Sequence, residues 1–202
     1  MRFIARAQLE ARAAELWRRF GLTPNFDAEA LLDSLELNLL WDALDDDAGA
    51  KVFGALIPWQ RVVVLNERHM DLLEAKPGLR RFTIGHEIGH WMLHVDQTDA
   101  QLSFLDGTDR VWCREHPRER QAEGFAGYLL APTDLLRREV PAAPWRGWGA
   151  VYALSEVFGT TPTAMMVRLE IASWAHRNDD GVPTSGPRRP TGQLSLLADD
   201  HC

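Results

Sequence analysis

The chain has 202 residues and a formal net charge of −7, enough for one compact domain, alone or with a tail. Hydrophobic residues make up 46% and charged residues 25%, with eight Trp and eight Phe available for a core, which excludes disorder over the whole length. No apolar run approaches the ~20 residues that span a bilayer, the opening segment lacks the apolar stretch of a secretory signal, and the acidic balance disfavours nonspecific DNA binding, which depends on neutralising phosphates.

In chain order, Leu9, Ala13, Leu16, Trp17 and Phe20 recur at helical spacing and Gly21 follows as a stop, predicting a first helix. Asp27 can cap a second helix reaching about Leu35. LNLLW (37–41) reads as a short strand, followed by an acidic turn at Asp45, Asp46 and Asp47. KVFGALI (51–57) and RVVVLN (61–66) are β-rich runs around Pro58, Trp59 and Gln60, the pattern of a hairpin. A long helix is expected from about Leu79 to His94, then an irregular stretch over 96–114. Pro117 suits the first turn of another helix running to about Leu130, where Ala131-Pro132 ends it. A loop rich in Trp and Gly spans 145–149, and helices are expected over Val151–Phe158 and Pro162–Trp174. From Arg177 onward aromatic residues are absent. We therefore expect a folded domain over 1–176 and a flexible tail over 177–202. Cys113 and Cys202 form neither a disulfide framework nor a metal pair, and read as reduced thiols of a cytoplasmic protein.

The central signal is His86-Glu87-Ile88-Gly89-His90. On a helix, positions i and i+4 share a face about 6 Å apart along the axis. Two imidazoles placed so can converge on one zinc ion, and Glu87 beside them can take a proton from the attacking water. Accidental occurrence of H-E-x-x-H in a chain of this composition is expected about 0.015 times. A catalytic zinc needs a third protein ligand. His94 continues the series but lies about 12 Å along the axis from His86, too far for one ion to reach both, so a hydrogen bond at the helix end is its expected role. Glu119 is the best candidate, with Glu115 and Glu123 as alternatives. Glu123 lies one turn after Glu119 and can instead accept the free N–H of a ligating His and fix its orientation.

RRFTIGHEIGHWMLH (80–94) followed by ERQAEGFAGYLLAP (119–132) resembles the ImmA/IrrE-type metallopeptidases, and the likeness covers most of residues 9–174. The resemblance implies His86, His90 and Glu119 as zinc ligands and Glu87 as catalytic base. It implies an α+β fold: a mostly helical, gluzincin-like metalloprotease domain with a small sheet. It further implies a zinc-dependent endopeptidase (Mn2+ being the other candidate metal) that cuts a helix-turn-helix repressor in a stress, prophage or mobile-element response. Glu123 stands where the family has Asn and Ala131 where it has Met. At this length we expect any sensor or DNA-binding domain to sit on another chain. Tyr128, His69 and His116 are candidate stabilisers of the oxyanion, Tyr128 foremost. The other reading is a zinc-binding interaction module of a toxin–antitoxin-like pair, without general protease activity. Gln193, Leu194, Ser195, Leu196 and Leu197 resemble the pentapeptide by which bacterial replication and repair proteins dock on the sliding clamp. Direct nucleic-acid or membrane binding is not expected.

Overall fold

The computed structural model describes residues 4–46, 50–95 and 116–188. Helix α1 (Arg6–Phe20) buries Leu9, Ala13 and Leu16 along one stripe, and ends where Gly21 adopts φ 60°, a conformation that costs glycine nothing. Helix α2 (Ala28–Ser34) starts where the Asp27 carboxylate accepts the N–H groups of Glu29 and Ala30.

The first sheet has three strands, β1 (Asn38–Asp42), β2 (Gly54–Ile57) and β3 (Val62–Asn66), in the order β1-β3-β2. The expected hairpin is present: β2 runs antiparallel to β3, with Gly54 opposite Leu65 and Ile57 opposite Val62. Its connection is one 3₁₀ turn over Pro58–Gln60, closed by Arg61 at φ 54°. Strand β1 lies parallel to β3, with Asn38 opposite Val62, so the sheet is mixed. All five residues of β3 are buried, as a central strand covered on both faces requires.

Helix α3 (Met70–Ala75) leads into α4 (Pro77–His94), the long helix of the domain. Helices α5 (Pro117–Leu130), α6 (Thr133–Glu139), α7 (Gly149–Phe158) and α8 (Pro162–Ile171) follow. The architecture is α+β, mostly helical with small sheets. Short α3 and α6 were not expected, because six or seven residues show too little periodicity to stand out.

The expected start of the tail at 177 is wrong. Strands β4 (Ala175–Arg177) and β5 (Pro183–Ser185) form an antiparallel hairpin across that boundary. Its turn is tied by Asn178, whose Oδ1 accepts the N–H groups of Asp180 and Val182. Main-chain bonds between Ser185 and Trp145, and between Gly186 and Trp174, fasten it to the body. Such pairing uses backbone groups, so the lack of aromatic residues did not forbid it. Residues 189–202, including Gln193–Leu197, lie outside the described residues, as do Glu115, Cys113 and Cys202.

Apolar packing divides into two clusters. The larger gathers α1 to α5 and the first sheet around Leu16, Leu32, Leu65, Leu73, Ile84, Ile88 and Phe125. The smaller gathers α6 to α8 around Leu136, Phe158, Met165, Met166 and Leu169. Two arginines bridge the elements. Arg81 on α4 donates to the carbonyls of Phe26, Phe158 and Gly159 and to Asn25 Oδ1. Arg168 on α8 donates to the Ala131 carbonyl and to Thr133 Oγ1.

Candidate metal centre

The centre is built where α4 crosses α5. Both helices begin with proline in the first turn, a residue whose missing N–H costs nothing there. Close approach depends on small residues. A Cβ added to Gly89 would lie 3.1 Å from the Ala122 Cα and carbonyl oxygen, and one added to Gly85 would lie 3.6 Å from the Ala126 Cβ. The i, i+4 pair His86 and His90 therefore looks directly across at Glu119, in the first turn of α5.

Glu119 Oε2 is 3.0 Å from His86 Nε2, and Glu119 Oε1 is 3.1 Å from His90 Nε2. The two Nε2 atoms are 3.0 Å apart. Donors bound to one zinc at ~2.0–2.1 Å in tetrahedral geometry stand about 3.3 Å from each other. The two imidazole nitrogens and the carboxylate, one oxygen toward each, thus surround a common point where a single ion can be held. Two imidazoles and one carboxylate form a donor set that suits a zinc ion. Two imidazole nitrogens this close also need a shared cation or proton between their lone pairs. Among the described residues, His86, His90 and Glu119 form the one gathering of three potential ligands.

The electrostatics agree. Burial works to raise the Glu119 pKa, but bonds to His86 and His90 and their charges outweigh it and hold it down at about 2. Burial works to lower the His86 pKa, yet the Glu119 hydrogen bond and the charges of Glu87, Glu119 and Glu123 raise it overall. Glu123 therefore acts on His86 through its field. Glu87 is 5% exposed, and its burial raises its pKa against the lowering influence of both histidines. His94, at the end of α4, is pushed down to about 4 by burial.

Tyr128 is not brought to this cluster. It stands nine positions beyond Glu119, about half a turn round α5, and its ring lies under the Arg168 guanidinium at 4.5 Å. His69 is held by Asp46 at 2.8 Å and packs on Phe53, and the His116 ring caps α5 by accepting the Arg118 N–H. One contributor was missed. Gly54, on edge strand β2, sits so close to α4 that a Cβ would lie 2.7 Å from Thr83 Cγ2 and 3.5 Å from Glu87 Oε1. A glycine inside a β-rich run signals such close approach.

The model of the IrrE N-terminal-like domain, peptidase family M78, matches residues 44–170. The chain belongs to this family. The match spans strands β2 and β3, both ligand-bearing helices and α7 with nearly all of α8, so the M78 assignment and the metal triangle rest on the same segment. No curated protein matches the chain. Eleven chains of solved structures match. Among them is a Mycobacterium tuberculosis transcriptional regulator at 19% identity and TM-score 0.50. That match covers 81% of this chain and 46% of the regulator, so this chain spans about half the length of that relative. At such identity the likeness describes the shared fold. No described helix is long and apolar enough to cross a membrane.

Proposed function

We propose that this M78 member is a zinc-dependent endopeptidase that makes a site-specific cut in a DNA-binding repressor. The observation that carries the reading is the convergence of His86, His90 and Glu119 within 3.0–3.1 Å, with buried Glu87 beside them. His86, His90 and Glu119 would hold a divalent ion, which would supply Lewis acidity toward the scissile carbonyl. Glu87 takes a proton from the attacking water and returns it to the leaving amine as the peptide bond breaks. Its burial-raised pKa brings it nearer the working pH, where a shuttling carboxylate is most effective. Among the described residues the outer side of β2 has no strand partner, and an extended peptide can add there by main-chain pairing beside Glu87.

A repressor as substrate is supported by the family resemblance and is compatible with the transcriptional regulator among the structural neighbours. An acidic chain of charge −7 also meets a basic DNA-binding protein favourably. The reading places the protein in the cytoplasm, in a stress, prophage or mobile-element response. The deciding experiment incubates the purified chain plus Zn2+ or Mn2+ with the repressor encoded beside its gene. The wild type is expected to give one cut, and Glu87→Gln to keep the metal and lose cleavage. Wild-type proteolysis by Glu87→Gln would overturn the mechanism. Metal-loaded wild type that binds the repressor without cutting it would establish the interaction-module reading instead. We also propose that Gln193–Leu197 docks the chain on the sliding clamp. Clamp capture should be lost when 190–202 are deleted, and equal capture with and without them would end that proposal.

A further inference from the structure

His94 is the last residue of α4, one turn beyond His90. It is 3% exposed and too far along the helix to reach the ion that His86 and His90 would share. Its ring lies against the His90 ring, with centroids 5.4 Å apart at 54°. Its Nε2 is 3.3 Å from the main-chain carbonyl oxygen of Arg118. A carbonyl oxygen only accepts, so Nε2 carries the hydrogen and donates. Arg118 immediately precedes Glu119, which contacts both His86 and His90. One buried imidazole thus touches a ligand ring of α4 and grips the backbone of α5 one residue from the third ligand.

We infer that His94 is a positioning residue that sets the separation of α4 and α5 at their ligand-bearing ends, and so presets the triangle for the metal. The inference rests on the reading of His86, His90 and Glu119 as ligands. The helix crossing has two fixed points near the triangle: the Gly89–Ala122 contact, which limits how closely the helices approach, and the His94–Arg118 bond, which limits how far they part. With the second removed, the first turn of α5 loses one restraint, and Glu119 can shift away from the histidines. Groups that orient metal ligands from outside the coordination sphere typically change affinity 10–100-fold when lost.

The geometry selects the variants. Glutamine places its amide nitrogen about where a histidine has Nε2, whereas asparagine reaches only as far as Nδ1. His94→Gln keeps a donor within reach of the Arg118 carbonyl; His94→Asn is equally polar but too short. Zn2+ affinity of the full chain would be measured by competition with a chromophoric chelator. Co2+-loaded protein would be followed by its visible absorption, which reports ligand geometry directly. Wild type and His94→Gln are expected to agree within about threefold, and His94→Asn to bind about 10–100-fold more weakly, with an altered Co2+ spectrum. Equal affinities and spectra for His94→Gln and His94→Asn would overturn the inference, because both variants alter packing and only one loses the bond. Failure of the wild type to bind either metal would instead refute the metal-centre reading.

Discussion

Gly89 lies between the two histidine ligands in sequence and at the tightest point of the α4–α5 crossing, and Gly89→Ala tests how closely the ligand geometry depends on that contact. The new methyl would stand 3.1 Å from Ala122 Cα and carbonyl oxygen and 3.3 Å from Ala122 Cβ, against about 3.5–4.0 Å for comfortable carbon contacts. The nearest atoms belong to backbone, which cannot rotate away, so the helices must part by several tenths of an ångström. Helix propensity favours alanine by up to about 1 kcal/mol, and overpacking costs about 1–3 kcal/mol. The net loss is then about 0–2 kcal/mol, a fall in Tm of up to about 8 °C at this size. Parting the helices also withdraws Glu119 from His86 and His90, and metal affinity should drop about tenfold or more, since ligand distances tolerate only about 0.2 Å. Gly85→Ala is the control, one turn earlier on the same crossing. There the methyl meets Ala126 Cβ at 3.6 Å and Leu130 Cγ at 3.8 Å, so it should be neutral or stabilising by up to about 1 kcal/mol and leave metal affinity intact. Thermal unfolding and chelator competition on both variants decide the matter. Equal behaviour of the two would refute the account of the crossing.

Gly54→Ala should cost both stability and turnover, because its methyl would collide with Thr83 Cγ2 and the Val64 carbonyl and push β2 off the helix that carries Glu87; kcat measured at saturating metal checks this. Arg81→Met should destabilise by about 3 kcal/mol or more in urea unfolding, since it strips donors from the carbonyls of Phe26, Phe158 and Gly159 together. His94 has a folded pKa of about 4 against an ordinary 6.5, so between those values the unfolded chain binds the extra proton. The stability this provides is whole above pH 6.5 and is lost as pH falls toward 4, at up to about 1.4 kcal/mol per pH unit. Urea midpoints of the metal-free protein across that window should show this slope in the wild type and a shallower one in His94→Gln.

What was legible in the sequence follows from range. The spacing of His86 and His90 and the start of a helix at Pro117 depend on local geometry and could be read from residue offsets, whereas offsets left Glu115 and Glu123 beside Glu119 and the family resemblance singled Glu119 out. The same offsets set Tyr128 about half a turn round α5 from Glu119, enough to remove it from the oxyanion role once α5 is one unbroken helix. Partner choice was not legible. Nothing local says that β1 pairs with β3 in parallel and leaves β2 at the edge, since that is settled by packing across the chain. Nor did composition reveal the hairpin after Trp174, whose cohesion comes from Asn178 and from main-chain bonds to Trp145 and Trp174.

The division of the apolar interior into two clusters has a consequence for how the molecule tolerates change. Every residue of the metal triangle stands on helices of the larger cluster, while α6, α7 and α8 pack chiefly among themselves. Opening of the smaller cluster need not carry α4 and α5 with it; Arg81 ties the two through the Phe26, Phe158 and Gly159 carbonyls, and Arg168 through its place over the Tyr128 ring. Sequence drift in the later helices is then felt as a change in local opening, far from a centre held to tenths of an ångström. Surface residues can diversify there while the metal triangle stays constant.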